Sequence, residues 1–214
     1  ASPCLSPDGR RMAWLSWNHP DMPWDGTRLW LAERGPDGRL VNSRCIAGSR
    51  EESVFQPLFS PDGVLYFVTD RSNWWNLYRL CDGRIEALAP MEAEFGLPQW
   101  IFGLSTYAFD SAQRLICTYH RAGSWRLAVL DTATRRLEEI GTPYGDISSV
   151  AAGEGKAIFV GSSPAQPAAV VRLDLVTRQC EVLCRSTEDV AEPGYLSVPQ
   201  DVSFSTTRGA TTHA

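Results

Sequence analysis

Short apolar stretches of about five to eight residues recur along the chain between clusters of Gly, Pro, Asn and Asp. No segment repeats an apolar residue at helical spacing for long enough to predict an amphipathic helix. VLYFVTD (64–70) reads as a strand and NLYRL (76–80) as the next, after which Cys81-Asp82-Gly83 turns the chain into RIEALA. Asp62-Gly63, just before them, is a hairpin signal, because glycine supplies the positive φ that a tight turn between twisted strands requires. Together these predict a four-stranded antiparallel sheet. WRLAVLDTATRRLEEI, turning at Asp131 to Thr134, and AVVRLDLVTRQCEVL repeat its second hairpin further along.

The whole unit recurs. LSPDGRRMAWLSW from Leu5, FSPDGVLYFVTDR from Phe59, FDSAQRLICTYHR from Phe109 and AAGEGKAIFVGSS from Ala151 open four units. Their intervals of about 40 to 55 residues are the length of a propeller blade. The expected fold is therefore all-β: a β-propeller of the WD40-like or TolB-like kind with about four four-stranded antiparallel blades, over 1–50, 51–98, 99–143 and 144–187. Radial stacking lets such small sheets bury both faces. The first unit has barely a strand ahead of its turn, so the arc reads as part of a larger ring. Residues 188–214 read apart from it: STEDVAEPGYLSVPQ as an extended linker, then DVSFSTTRGATTHA as a strand, a turn at Arg208-Gly209 and a returning strand.

Composition narrows the function. A chain of 214 residues, 43% hydrophobic and 21% charged, can bury a sizeable core, which removes disordered, collagen-like and coiled-coil readings. A net charge of −5 with no run of Lys or Arg argues against nucleic acid and anionic membrane as partners. No apolar run approaches the roughly 18 residues of a membrane span, and no basic-then-apolar leader opens the sequence, so the cytoplasm is the expected location. The six cysteines form no CxxC pair, and Cys180 and Cys184 have the wrong spacing for a zinc knuckle. Free thiols are expected, with disulfides left open, and neither a metal nor another cofactor is implied.

Alternating connections of an antiparallel blade emerge on opposite faces. The Asp-Gly turns share one face; the long irregular loops and the links between blades share the other. Trp17, Trp24, Trp74, Trp75, Trp100 and Trp125 lie in or beside the second set, where they either pack between blades or form a contact surface. Glu51 and Glu52 precede the inner strand SVFQPLF; they are either an acidic link or a pair that holds an amino terminus through charge-assisted hydrogen bonds. Asp70 and Arg71 are expected to form an ion pair or loop clamp in the second blade. His19, Asp21 and Asp25 match neither a metal site nor a catalytic dyad and read as a solvated loop. There is no G-x-S-x-G, no H-E-x-x-H and no Gly-rich phosphate loop, and only three histidines, so the chain is expected to be non-catalytic.

LSPDGRRMAWLSWNHPDMPWDGTRLWLAE and ESVFQPLFSPDGVLYFVTDRSNWWNLYRL resemble the propeller domain of bacterial prolyl oligopeptidase family serine peptidases, of the acylaminoacyl peptidase or dipeptidyl aminopeptidase type. The likeness is close from Pro3 to Leu80 and looser beyond. SPDG turns are shared with TolB-like propellers; the HPDMPWDGT insertion and the run Thr69-Asp70-Arg71 followed by Trp74 to Arg79 are more specific. The resemblance implies an α/β-hydrolase domain of the same polypeptide as partner, bearing a Ser-Asp-His triad absent from this chain, with Asp201 to Ala214 as its first hairpin. It also implies that the propeller gates access for short peptide substrates and that acidic residues hold the substrate's amino terminus, a role for which only Glu51 and Glu52 are offered; Trp24, Trp74, Trp75 and Arg71 complete the candidate substrate-binding residues. The other class of function is a stand-alone TolB-like propeller serving as a protein-binding module.

Overall fold

The structure, a computed structural model, describes residues 1–189, 191–197, 199–200 and 202–213. Blade 1 comprises β1 (Cys4–Leu5), β2 (Arg11–Ser16), β3 (Arg28–Arg34) and β4 (Leu40–Ala47); blade 2 comprises β5 (Val54–Phe59), β6 (Leu65–Thr69), β7 (Asn76–Cys81) and β8 (Arg84–Ala87). Blade 3 is β9 (Tyr107–Phe109), β10 (Arg114–Arg121), β11 (Ser124–Asp131) and β12 (Leu137–Ile140), and blade 4 is β13 (Asp146–Gly153), β14 (Lys156–Ser163), β15 (Gln166–Asp174) and β16 (Cys180–Arg185). Each is an antiparallel sheet whose spatial order follows the sequence. The four sheets form an arc that does not close, and the expected propeller architecture stands.

Hydrogen-bond chemistry explains why Ser-Pro-Asp-Gly starts a blade. The Ser60 hydroxyl donates to Asp62 Oδ1 at 2.5 Å and accepts the Val64 N–H, while Gly63 turns the chain at φ +87°. Ser6 and Asp8 repeat this, with Gly9 at +67°.

The two-residue period of the central strands places the core. In β6, Leu65 and Phe67 face blade 1 and pack with Ala13, Leu15, Leu29 and Leu31, whereas Tyr66 and Val68 face blade 3. In β10, Leu115, Cys117 and Tyr119 face blade 2 and Ile116 faces blade 4, where it meets Phe159 and Val171. Central strands buried on both faces therefore serve two cores each, and truncating a residue such as Phe67 is a change of about 3–5 kcal/mol. The outermost strands β4 and β16 are largely exposed.

All six cysteines are free thiols. Burial pushes the Cys4 thiol up to about 11 and that of Cys117 higher still. Past residue 188 lie a 3-10 turn at Pro193–Tyr195 and a hairpin of β17 (Ser203–Ser205) and β18 (Thr211–His213), closed by Arg208 and Gly209 at positive φ. Asp201 and Ala214, the ends of the expected hairpin, lie outside the described residues. Among the described residues no helix is long and apolar enough to cross a membrane.

Candidate functional site: the axial cavity and its aromatic rim

The inner strands of all four blades line one concavity of about 850 Å³. Its walls are mainly apolar, with Phe55, Pro57, Leu104 and Tyr107 among them, and Gln56, Gln99 and Ser105 supply polar groups. A chain of hydrogen bonds crosses three blades there. Gln56, buried and at φ +47° in a bulge of β5, donates from Nε2 to the Tyr107 carbonyl at 2.7 Å, and its Oε1 accepts the Thr106 N–H at 2.8 Å. The Tyr107 hydroxyl returns a 2.6 Å bond to the Gln56 carbonyl, and Ser105 Oγ donates to the Val150 carbonyl in β13. Burial raises the Tyr107 hydroxyl well above its ordinary range, so it stays a donor.

The rim is built by the link between blades 2 and 3. This segment buries Ala93 and Phe95 in the core, bonds Gln99 Nε2 to the Val54 carbonyl, and then exposes Trp100, Ile101 and Phe102 at 73%, 65% and 72%. Ile101 and Phe102 also line the cavity, and Trp100 lies against Trp24 of the blade 1 insertion with ring centroids 4.3 Å apart. Four large apolar side chains therefore form one wall at the mouth, in a chain whose other described surface tryptophans are isolated or packed. The sequence signal was the unbroken run Trp100-Ile101-Phe102 in a segment without strand or helix periodicity; only its tryptophan stood out beforehand.

The remaining candidates divide. Trp75 stacks on Phe55 at 6.0 Å within the core, its backbone N–H bonded to Glu94 Oε2, and Trp125 lies in β11 packed between blades 3 and 4. Packing is what these two do. Trp74, in the β6–β7 loop beside Trp75, is 38% exposed. Gly96 lies under Trp75: a Cβ there would sit 2.0 Å from Cε3 of its ring. Gly96→Ala should displace that ring and lower stability by about 1–3 kcal/mol, read as a shift in the urea midpoint with altered tryptophan emission.

Arg71 does not pair with Asp70. Its guanidinium bonds Glu52 Oε1 at 2.9 Å and lies 5.6 Å over the Tyr78 ring, and Thr69 Oγ1 donates to the same carboxylate oxygen at 2.7 Å. Asp70 is the clamp instead: its Oδ1 accepts the Ser53 N–H at 2.7 Å, tying the β6–β7 loop to the entry of β5. Burial raises its carboxyl above the usual range, opposed by that bond. Of the two expected arrangements the loop clamp is the one that forms; the ion pair does not, because consecutive residues leaving a strand point apart, and Arg71 finds a carboxylate 19 residues away. Glu52 is spent on these contacts, whereas the Glu51 side chain is exposed; neither lines the cavity.

No protein-family description matches the chain, and no curated protein matches it by sequence. Solved structures do. A puromycin-hydrolyzing peptidase of Mycobacterium tuberculosis is 36% identical over 100% of this chain with a TM-score of 0.92, and a puromycin hydrolase is 33% identical over 99% with a TM-score of 0.89. Prolyl oligopeptidase B from Galerina marginata, 15% identical over 99% of the chain with a TM-score of 0.73, shares the fold. The chain covers 33%, 32% and 30% of those chains, about a third of the length of each. With its four blades, its axial cavity and this likeness along the whole of its length, the chain is similar to the propeller portion of puromycin-hydrolyzing peptidases and has the β-propeller fold that prolyl oligopeptidases share.

Proposed function

We propose that this chain is the substrate-gating and domain-docking propeller of a serine oligopeptidase or aminopeptidase that acts on short peptides, and is itself non-catalytic. The observation that carries the reading is the full-length similarity to puromycin hydrolases, which are hydrolytic enzymes about three times as long as this chain. An α/β-hydrolase domain of the same polypeptide is the partner, and peptides enter past the aromatic wall. Desolvating an aromatic or apolar substrate side chain against Trp24 and Trp100 supplies affinity without fixing sequence. Trp74, exposed in the β6–β7 loop, is a further surface for an apolar substrate side chain, and Trp75 serves by packing in the core beneath that loop. Glu51 is the carboxylate free to hold a substrate amino terminus, and the Glu52–Arg71 pair fixes the backbone beside it.

In the intact peptidase, Glu51→Gln should raise KM about tenfold for peptides with a free amino terminus and leave acetylated peptides unchanged. Equal effects on both would overturn the anchor. Gating is read separately by the ratio of turnover on short peptides to turnover on unfolded protein. Trp100→Ser combined with Phe102→Ser should change that ratio, and an unchanged ratio refutes a gate at this mouth.

A further inference from the structure

Two of the three boundaries between blades are closed at their outer rim by an arginine of one blade on a glutamate of the blade before it. Arg135, in the outer turn of blade 3, donates to Glu86 of β8 at 2.7 Å and to the Ala87 carbonyl, while Arg79 holds the same glutamate at 3.0 Å. Arg178, in the outer turn of blade 4, donates to Glu138 of β12 at 3.1 Å. Both arginines sit at φ +61° in equivalent turns. A repeated residue in a repeated backbone conformation, reaching a repeated partner, is a clamp of the blade repeat.

The boundary between blades 1 and 2 lacks such an arginine–glutamate clamp. Arg44 on β4 and Arg84 at the start of β8 line one groove of about 490 Å³, floored by Ile46, Leu80 and Ile85, and Arg71 closes one end already paired to Glu52. No acidic residue lines this groove, although Glu33 and Asp82 line the adjoining one with Arg44, and neither the Arg44 nor the Arg84 side chain makes a hydrogen bond or ion pair among the described residues. Leu31 and Arg44 are opposite each other in the β3–β4 ladder, and Leu31 packs towards blade 2, so Arg44 projects to the same side of the sheet. These arginines come from distant segments, so the sequence shows no basic run.

We infer that the groove between blades 1 and 2 binds a small oxyanion, phosphate or carboxylate, which bridges Arg44 and Arg84 as Glu86 and Glu138 bridge the other two boundaries. Guanidinium groups suit this role: they stay charged and donate in pairs to planar or tetrahedral oxyanions. The partly buried apolar floor lowers the local dielectric and strengthens the contact.

The test is hydrogen exchange of the full-length protein at constant ionic strength, with inorganic phosphate as probe, acetate in a parallel series and chloride as control. Phosphate or acetate should slow exchange in segments 40–47 and 76–87 several-fold and leave 107–140 unchanged; the more effective of the two identifies the source. Arg44→Gln and Arg84→Gln, both exposed positions, should each abolish that slowing while retaining wild-type exchange elsewhere. Equal slowing by chloride, or slowing that persists in both variants, overturns the site.

Discussion

Gly48→Ala is expected to destabilise the chain by about 4 kcal/mol or more, enough to unfold a domain of ordinary stability at room temperature. Gly48 has φ +89°, a conformation that alanine adopts only under strain, and an added Cβ would lie 1.7 Å from the Thr27 carbonyl oxygen. The oxygen cannot retreat, because Thr27 is fully buried, its N–H bonded to the Glu52 carbonyl and its hydroxyl to the Pro23 carbonyl. Gly83→Ala is the control. Its φ of +74° is similar, yet nothing lies within 4 Å of its Cβ, so it should cost only about 1 kcal/mol. Urea denaturation of both variants checks the difference, and equal midpoints would show that the close approach at Gly48 is relieved by movement of the blade 1 insertion.

Gln56→Leu should cost about 3 kcal/mol. The side chain keeps its volume but strips partners from the buried Thr106 N–H and the Tyr107 carbonyl, and each orphaned group costs about 1–3 kcal/mol. Tyr107→Phe removes one bond to the Gln56 carbonyl and should cost about 1–2 kcal/mol. Because the two residues share one network, the double variant should cost less than the sum. Additive losses in thermal unfolding would mean that the two act independently.

How much of this was legible beforehand follows from how far apart the partners lie. Gly63 with Ser60 and Asp62, or Arg208 with Gly209, are local, and the sequence placed those turns correctly because the backbone conformation is set by the residues in it. Blade pairing followed from the repeats. By contrast Gln56 meets Tyr107 across 51 residues, Arg135 meets Glu86 across 49, and Arg71 chooses Glu52 over its neighbour Asp70. No spacing rule reaches such pairs: the stacking of one blade on the next decides them. The tryptophans show the same division, since Trp75 and Trp100 look alike in sequence, and only the course of the link between blades 2 and 3 sends one into the core and the other to the mouth.

On the face bearing the Asp-Gly turns, each blade is tied to the next. Arg11 donates to the Gly63 carbonyl, Arg79 to the Thr132 carbonyl, and the Gly155 N–H to Asp110. A row of fastenings along one rim fixes where any parting of the blades must pivot. Displacement grows with distance from the pivot, so the opposite rim, where Trp24, Trp100, Ile101 and Phe102 stand, travels farthest for a given rotation. Small angular changes between blades therefore become changes in the width of the aperture, worked against the Ser53–Pro23 and Thr27–Glu52 bonds that hold the blade 1 insertion to the entry of blade 2.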